Sequence, residues 1–220
     1  TFTDIVLLGP EGRLSVRKVS SSVDNYARAI VEGLAVALDE AGLTAADVAD
    51  IRHGATVASN AILERKGARV GLIGTAGFRD VLEIRTLRMP RLYDLAWEKP
   101  KPLVPRRLRM SVSERIDANG AVVTPLDMEA AAEAIDTLVA AGVDAIAVAL
   151  INAYANPAHE LALKTLLAER APGIVACIST DVLPEIREYE RTSTTVVNCY
   201  VLPVVGAYLK SLQVGLSAAK

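Results

Sequence analysis

Residues Ala145 to Ile151 read Ala-Ile-Ala-Val-Ala-Leu-Ile, an apolar run with no polar position inside it. A strand with one wet face alternates between apolar and polar residues. A strand without alternation is covered on both faces. The run is framed by helical patterns. Before it, Asp127 to Ala141 places Ala131, Ile135, Leu138 and Val139 on an inward face, and Gly142 closes the helix. After it, Asn156 and Pro157 supply an N-cap and a first-turn proline for a helix running to Arg170. Ile174 to Ser179 and Arg69 to Gly74 are further apolar strands. This succession predicts an α/β fold with a mostly parallel sheet and right-handed crossovers.

Other patterns surround this core. Asp4–Leu8 and Leu14–Val19 flank Gly9-Pro10-Glu11-Gly12, so the chain is expected to open with an antiparallel hairpin. Asp24 to Ala41 follows as a helix with Tyr26, Ile30, Leu34 and Leu38 on one stripe, ended by Gly42. Thr44 to Asp47 reads as a capped short turn. A helical piece is expected from Val81 to Arg85. Leu108–Ile116 and Ala121–Thr124, joined by Asp117-Ala118-Asn119-Gly120, predict a second hairpin. Leu183 to Leu216 is expected to be mostly helical and interrupted at Pro203.

The composition narrows the function classes. A net charge of −2 gives no drive toward nucleic acid or anionic membrane. No apolar run approaches the ~18 residues of a spanning helix, and no signal peptide is visible, so no membrane is expected. Cys177 and Cys199 sit in apolar surroundings without metal-ligand spacing, which favours a reduced, cytoplasmic compartment. P-loop, dinucleotide, nucleophile-elbow and zincin motifs are absent from the sequence. The chain starts at Thr1 and not at Met, as expected of a piece of a longer protein.

Chemistry concentrates at Ile51 to Gly67, Ile-Arg-His-Gly-Ala-Thr-Val-Ala-Ser-Asn-Ala-Ile-Leu-Glu-Arg-Lys-Gly. His53, Gly54, Thr56, Ser59 and Asn60 stand at the start of a helix expected to end at Gly67. Unpaired N–H groups and hydroxyls there suit a polar small molecule. The competing reading is a Thr56 cap and a merely hydrogen-bonded His53. The other histidine, His159, falls in a first helical turn and is expected at the surface.

Two further segments carry alternatives. Arg85 to Arg109 is basic, with Pro90, Pro100, Pro102 and Pro105 interspersed, and forms either a solvated connection or a lid or partner-facing loop. Glu185, Arg187, Glu188, Glu190 and Arg191 form either surface pairs or an acid–arginine cluster aimed at a ligand. The adjoining Thr192-Ser193-Thr194-Thr195 is unusual inside a helix.

Several phrases, taken in order, resemble the N-terminal region of the hydantoinase A / 5-oxoprolinase family. They are TFTDIVLL, HGATVASNAILERKGARVGLIGTAGFRDVLEI, LYDLAWEKPKPLVPRR, ERIDANGAVVTPLD, AYANPAHE and VLPEIREYERTSTTVVNCYVLP. The resemblance covers nearly all of residues 1–220, with an internal boundary expected near 105–125. It implies the first part of an actin-like, sugar-kinase-like (ribonuclease H-like) ATPase fold.

The function implied is part of an ATP-dependent hydrolase that opens a cyclic amide or imide after phosphorylation of its carbonyl oxygen. The same family includes ketone carboxylase subunits, and a non-catalytic module that docks a B-type subunit is the third reading. ATP and Mg²⁺ are the implied cofactors of the full-length protein. A cyclic amide or ketone and a B-type hydantoinase subunit or domain are the implied partners, in an oligomer.

By resemblance Thr1, Thr3 and Asp4 belong to a phosphate turn whose Asp and paired glycines precede Thr1, and Asp4 orients the metal. His53 is the implied acid or oxyanion donor, and Thr56, Asn60, Arg187 and Arg191 the implied substrate contacts. The family's usual HGTTVATNAL is altered here, with Ala55 and Ser59 in place of threonines. Position 55 thereby loses a hydroxyl.

Overall fold

The computed structural model describes residues 2–9, 12–20, 26–86, 88, 91 and 93–218. They form two compact units, residues 1–60 with 204–220 and residues 61–203. The segment 105–125 lies inside the second unit.

In the first unit, β1 (Phe2–Leu8) pairs antiparallel with β2 (Leu14–Ser20). The expected turn falls partly outside the described residues, at Pro10 and Glu11. What is visible is the Gly9 N–H donating to Arg13 O at 2.8 Å. Helix α1 (Tyr26–Glu40) packs on one face of this hairpin; Asp24, its expected first residue, lies outside the described residues. Gly33 permits the approach, since a Cβ there would stand 2.6 Å from Ile5 Cδ1. After Gly42 the Leu43 N–H returns to Leu38 O. The short turn Ala45–Asp47 is capped as expected, with the Asp47 carboxylate accepting from both N and Oγ1 of Thr44 at 2.8 Å. These two hydrogen bonds hold the Asp47 carboxyl below the ordinary carboxylate range.

The second unit is built on a parallel four-stranded sheet in the order β4–β3–β7–β8. The strands are β3 (Val70–Thr75), β4 (Arg109–Val112), β7 (Ala145–Ala149) and β8 (Val175–Ile178). Every residue of β3 and β7 is buried, as the unbroken apolar runs require. Helices α4 (Met128–Ala140) and α5 (Ala158–Arg170) and the first half of α7 (Glu188–Ala218) supply the cover. Asp127 caps α4 by accepting from Ala130 N at 3.0 Å, and Asn156 Oδ1 accepts from Ala158 N at the start of α5.

Five expectations are corrected. The strand expected over Leu108–Ile116 is divided: β4 joins the parallel sheet, while β5 (Arg115–Ile116) pairs with β6 (Val122–Thr124) in a small hairpin. Its turn has Gly120 at φ +88° and Asp117 Oδ1 accepting from Asn119 N and Ala121 N, as Asn-Gly chemistry demands. Helix α2 (Val57–Leu63) ends before Gly67, because Arg65 turns to φ +56° and Lys66 N–H returns to Ala61 O. Gly67 has another role: a Cβ there would lie 2.1 Å from the Tyr200 ring. Val139 is exposed at 39%, while Ala131, Ile135 and Leu138 are fully buried.

The fourth correction concerns α7, which runs through Pro203 without interruption. It is also long and apolar enough to meet the length and composition of a membrane span, contrary to the sequence expectation. From its first half, Val196, Cys199 and Tyr200 belong to the core of the second unit. The fifth is His159, which is buried and not at the surface. The remaining helices are the one-turn α3 (Val81–Ile84) and α6 (Ser179–Val182).

Candidate functional site

A pocket of about 690 Å³ lies within the first unit. One wall is β1 from Phe2 to Leu7, the other is the chain from Asp50 to Val57 with Asn60, and Ile30, Leu34, Leu212 and Leu216 are apolar parts of the lining. Thr3, Asp4, His53, Thr56 and Asn60 therefore face one space. Thr1 lies outside the described residues.

His53 sits on irregular chain just before α2. Its Nε2 is 2.5 Å from Tyr208 Oη on α7, and the two rings are tilted 43° with centroids 5.7 Å apart. Burial raises the Tyr208 phenol above its ordinary value, so it stays protonated, and it donates to Nε2 or accepts from it according to the imidazole tautomer. With the phenol as donor, Nδ1–H is the imidazole's remaining donor. Sequence reasoning missed Tyr208. Thr56 stands immediately before α2 and accepts from Asn60 Nδ2 at 3.3 Å, while its carbonyl accepts from Asn60 N at 2.8 Å. Asp4 pairs across the hairpin with Lys18 at 3.0 Å, and Lys18 also lies over the Phe2 ring. The pocket thus offers an imidazole, a hydroxyl and an amide to a polar ligand. Among the described residues no cluster of three metal-ligating side chains is present.

Arg187 and Arg191 belong to the second unit. Arg187 is exposed, 3.9 Å from Glu190. Arg191 is buried. Its Nη2 donates to Leu150 O at 2.7 Å, its guanidinium lies 5.7 Å from the Tyr154 ring, and Nε and Nη1 have no protein partner. Burial lowers its pKa from the ordinary arginine value. The unusual threonines find their explanation here, since Thr195 Oγ1 donates back to Arg191 O at 2.7 Å.

Around the ends of β3 and β7 lies a second, largely buried polar cluster. Glu160 accepts from Leu150 N, Ser179 Oγ, Thr180 N and Thr180 Oγ1 at 2.6–3.0 Å. Glu114 accepts from Thr75 Oγ1, and its other oxygen is 2.7 Å from His159 Nδ1. Thr75 Oγ1 in turn accepts from Ile151 N at 2.9 Å. The cluster fastens the chain where β7 leaves the sheet, in the crevice where connections from β3 and β7 diverge. Nearby, Cys177 and Cys199 are free and buried. The hydrogen bond between the thiols lowers Cys177 to about 7 and pushes Cys199 up.

The basic segment is tied to its own unit. Arg106 grips Asp80 at 3.0 and 3.1 Å, Arg109 reaches Glu83 at 3.0 Å, and Lys99 donates to Glu83 O at 2.8 Å. The Arg106 hydrogen bond holds the Asp80 carboxyl below its ordinary range. Tyr93 and Leu95 remain fully exposed.

Comparison with known proteins adds the context. Residues 1–171 match the family described as hydantoinase/oxoprolinase N-terminal region. Caprolactamase subunit alpha of Pseudomonas jessenii is 38% identical over 218 residues, covering 96% of this chain and 31% of the relative. The crystal structure of the ATP-dependent caprolactamase from Pseudomonas jessenii superposes with a TM-score of 0.90 at 37% identity, over 99% of this chain and 32% of that one. The nucleotide-free structure of acetone carboxylase, solved for the mechanism of ATP-dependent acetone carboxylation, gives 0.89 at 26% identity over 100% and 33%. The chain thus spans about a third of the length of these relatives.

Proposed function

This chain belongs to the hydantoinase/oxoprolinase N-terminal family, and from that membership we propose that it is the N-terminal part of an ATP-dependent enzyme that opens a cyclic amide. The observation that carries the reading is the His53–Tyr208 pair, which presents an imidazole N–H in a pocket also lined by Thr56 and Asn60. A lactam or hydantoin carbonyl is a poor electrophile. ATP supplies the phosphoryl group that activates its oxygen for attack by water. His53 Nδ1–H stabilises the developing oxygen charge or returns a proton to the departing nitrogen, and Thr56 and Asn60 orient the ring amide. Arg191 holds the residue that follows β7, through Leu150 O.

The described residues do not by themselves hold Mg²⁺. Asp4 is already paired with Lys18, and among the described residues no group of three His, Cys, Asp or Glu side chains stands together. No step is therefore assigned to a metal. Caprolactamase, whose name denotes a lactam, is a substantially similar relative and supports the cyclic-amide class. Similarity to acetone carboxylase supports a second reading, ketone carboxylation with the same ATP-dependent activation. The caprolactamase relative is a subunit, which supports assembly with a B-type partner. The exposed Tyr93 and Leu95 are the proposed contact.

The test uses the full-length protein with hydantoin, 5-oxoproline, caprolactam, and acetone plus bicarbonate, each read as substrate-dependent ATP hydrolysis. His53→Ala should lower turnover about 10²–10⁴-fold, the range of general acid–base catalysis. Unchanged turnover removes His53 from the mechanism. Tyr208→Phe, which keeps the ring, should lower kcat about tenfold with little change in KM.

A further inference from the structure

Residues 61–203 contain two thiols that the proposed reaction does not use. Cys177 lies in β8, at one edge of the parallel sheet, and Cys199 lies in the half of α7 that covers this sheet. Both are free and both belong to the same apolar core. The Cys199 thiol donates a hydrogen bond to Cys177 Sγ. Two thiols held against each other between a strand and a helix have the arrangement from which a disulfide closes. Closure asks only for side-chain rotation and a small approach of the two backbones.

The two positions are not equivalent. Cys199 is fully buried, whereas Cys177 keeps 6% of its surface exposed. Cys177 Sγ also accepts from Asn198 Nδ2 at 3.4 Å, from the residue just before Cys199 on the same helix. The Cys199 thiol and this amide, with Lys164 nearby, lower Cys177 to about 7 against burial and the Asp181 carboxylate. The same contact and burial keep Cys199 protonated. In thiol oxidation the thiolate is the nucleophile, and a neighbouring thiol resolves the product. The asymmetry therefore sets the order, with Cys177 attacked first. Hydrogen peroxide, little larger than water, suits so narrow an access.

We propose that Cys177 and Cys199 form a redox-sensitive modification site, which hydrogen peroxide closes to a disulfide. The Cys177 thiolate attacks one peroxide oxygen, so an S–O bond forms, the O–O bond breaks and hydroxide leaves. Cys177 becomes a sulfenic acid, oxidised by two electrons as the peroxide is reduced by two. The Cys199 sulfur then attacks the Cys177 sulfur, the S–O bond breaks, and the Cys199 proton leaves with the hydroxyl as water. The product staples α7 to β8 just before Ser179 and Thr180, two of the residues that donate to Glu160. A dithiol reductant reverses it by exchange. The inference does not depend on the reaction proposed above.

Peroxide treatment of the full-length protein in native buffer, then alkylation, trypsin digestion and mass spectrometry, tests it without reference to activity. Cleavage after Arg170, Arg187, Arg191 and Lys210 puts the two cysteines on separate peptides, residues 171–187 and 192–210. The expected product is these two peptides joined, lighter by two hydrogens and separated by dithiothreitol. In Cys199→Ala, dimedone should instead trap Cys177 as its sulfenic acid. If both thiols are still alkylated after excess peroxide, the pair is only a packing contact and the proposal fails. It fails equally if Cys177 in the unmutated protein runs on to sulfinic acid without a linked product, or if linkage needs denaturant. Cys199 oxidised as fast in Cys177→Ala as in the unmutated protein overturns the order of attack.

Discussion

The sheet of residues 61–203 and the hairpin of residues 2–20 are made from similar material, apolar strands beside helices, yet they end in different states. In the sheet, β3 and β7 are buried along their whole length, and the polar groups at their ends are answered by Glu114, Glu160 and Arg191. In the hairpin, one face lies on α1 and the other shows Leu8 and Val16 to solvent. The closed region holds Thr75, Glu114, Glu160 and Ser179 in mutual hydrogen bonds, while Arg191 keeps Nε and Nη1 without a protein partner. The open region holds fewer polar groups, and His53, Thr56 and Asn60 line a space that a molecule can enter. A dense polar network is thus a mark of structural fastening here, and a sparse set beside a pocket is the better candidate for chemistry.

Perturbing both regions tests that contrast. Glu160→Ala should do most damage, because four donors lose their acceptor, those of Leu150 and Ser179 in full burial. Each buried donor left without its acceptor costs about 1–3 kcal/mol, so urea unfolding should show a large fall in midpoint. A small change would mean that the enclosed cluster is not what fastens β7. Gly67→Ala comes next. Its Cβ meets the buried Tyr200 ring at 2.1–2.5 Å, and forced repacking of this kind costs about 1–3 kcal/mol. Gly33→Ala should be mildest. Its Cβ meets the mobile end of Ile5 on the half-covered hairpin, and alanine regains about 1 kcal/mol of helix propensity in α1, offsetting the contact. If Gly33→Ala proves as harmful as Gly67→Ala in thermal melts, the hairpin is as tightly packed as the sheet and the contrast fails.

Much of the closed region was legible in the sequence, because burial on both faces leaves an unbroken apolar run. The errors there have non-local causes. Glu114 ends what reads as one strand from Leu108 to Ile116, because it turns inward to meet Thr75 and His159. His159 reads as a surface residue for the same reason: its partner is 45 positions away. Helix α2 stops early at an arginine in a left-handed conformation, a choice that no glycine or proline announces. In the open region, His53, Thr56 and Asn60 stood out because they are neighbours in sequence. Tyr208 did not, being one aromatic on a long helix, 155 residues from the histidine that it touches. The family phrases identified the region as a whole, but they contain no statement about that contact.

Among the described residues β1 pairs with β2 alone, and its other edge has a practical consequence. Unpaired strand edges with apolar neighbours are templates for intermolecular pairing. Residues 1–220 produced without the rest of the protein should therefore self-associate as concentration rises, with light scattering growing and β-sheet infrared bands shifting to lower wavenumber. Lysine substituted at Val6 should suppress that tendency, as charged side chains do on natural sheet edges. For anyone expressing this segment, solubility will be decided by a strip of backbone a few residues long, and production together with the remaining polypeptide is the sounder starting point.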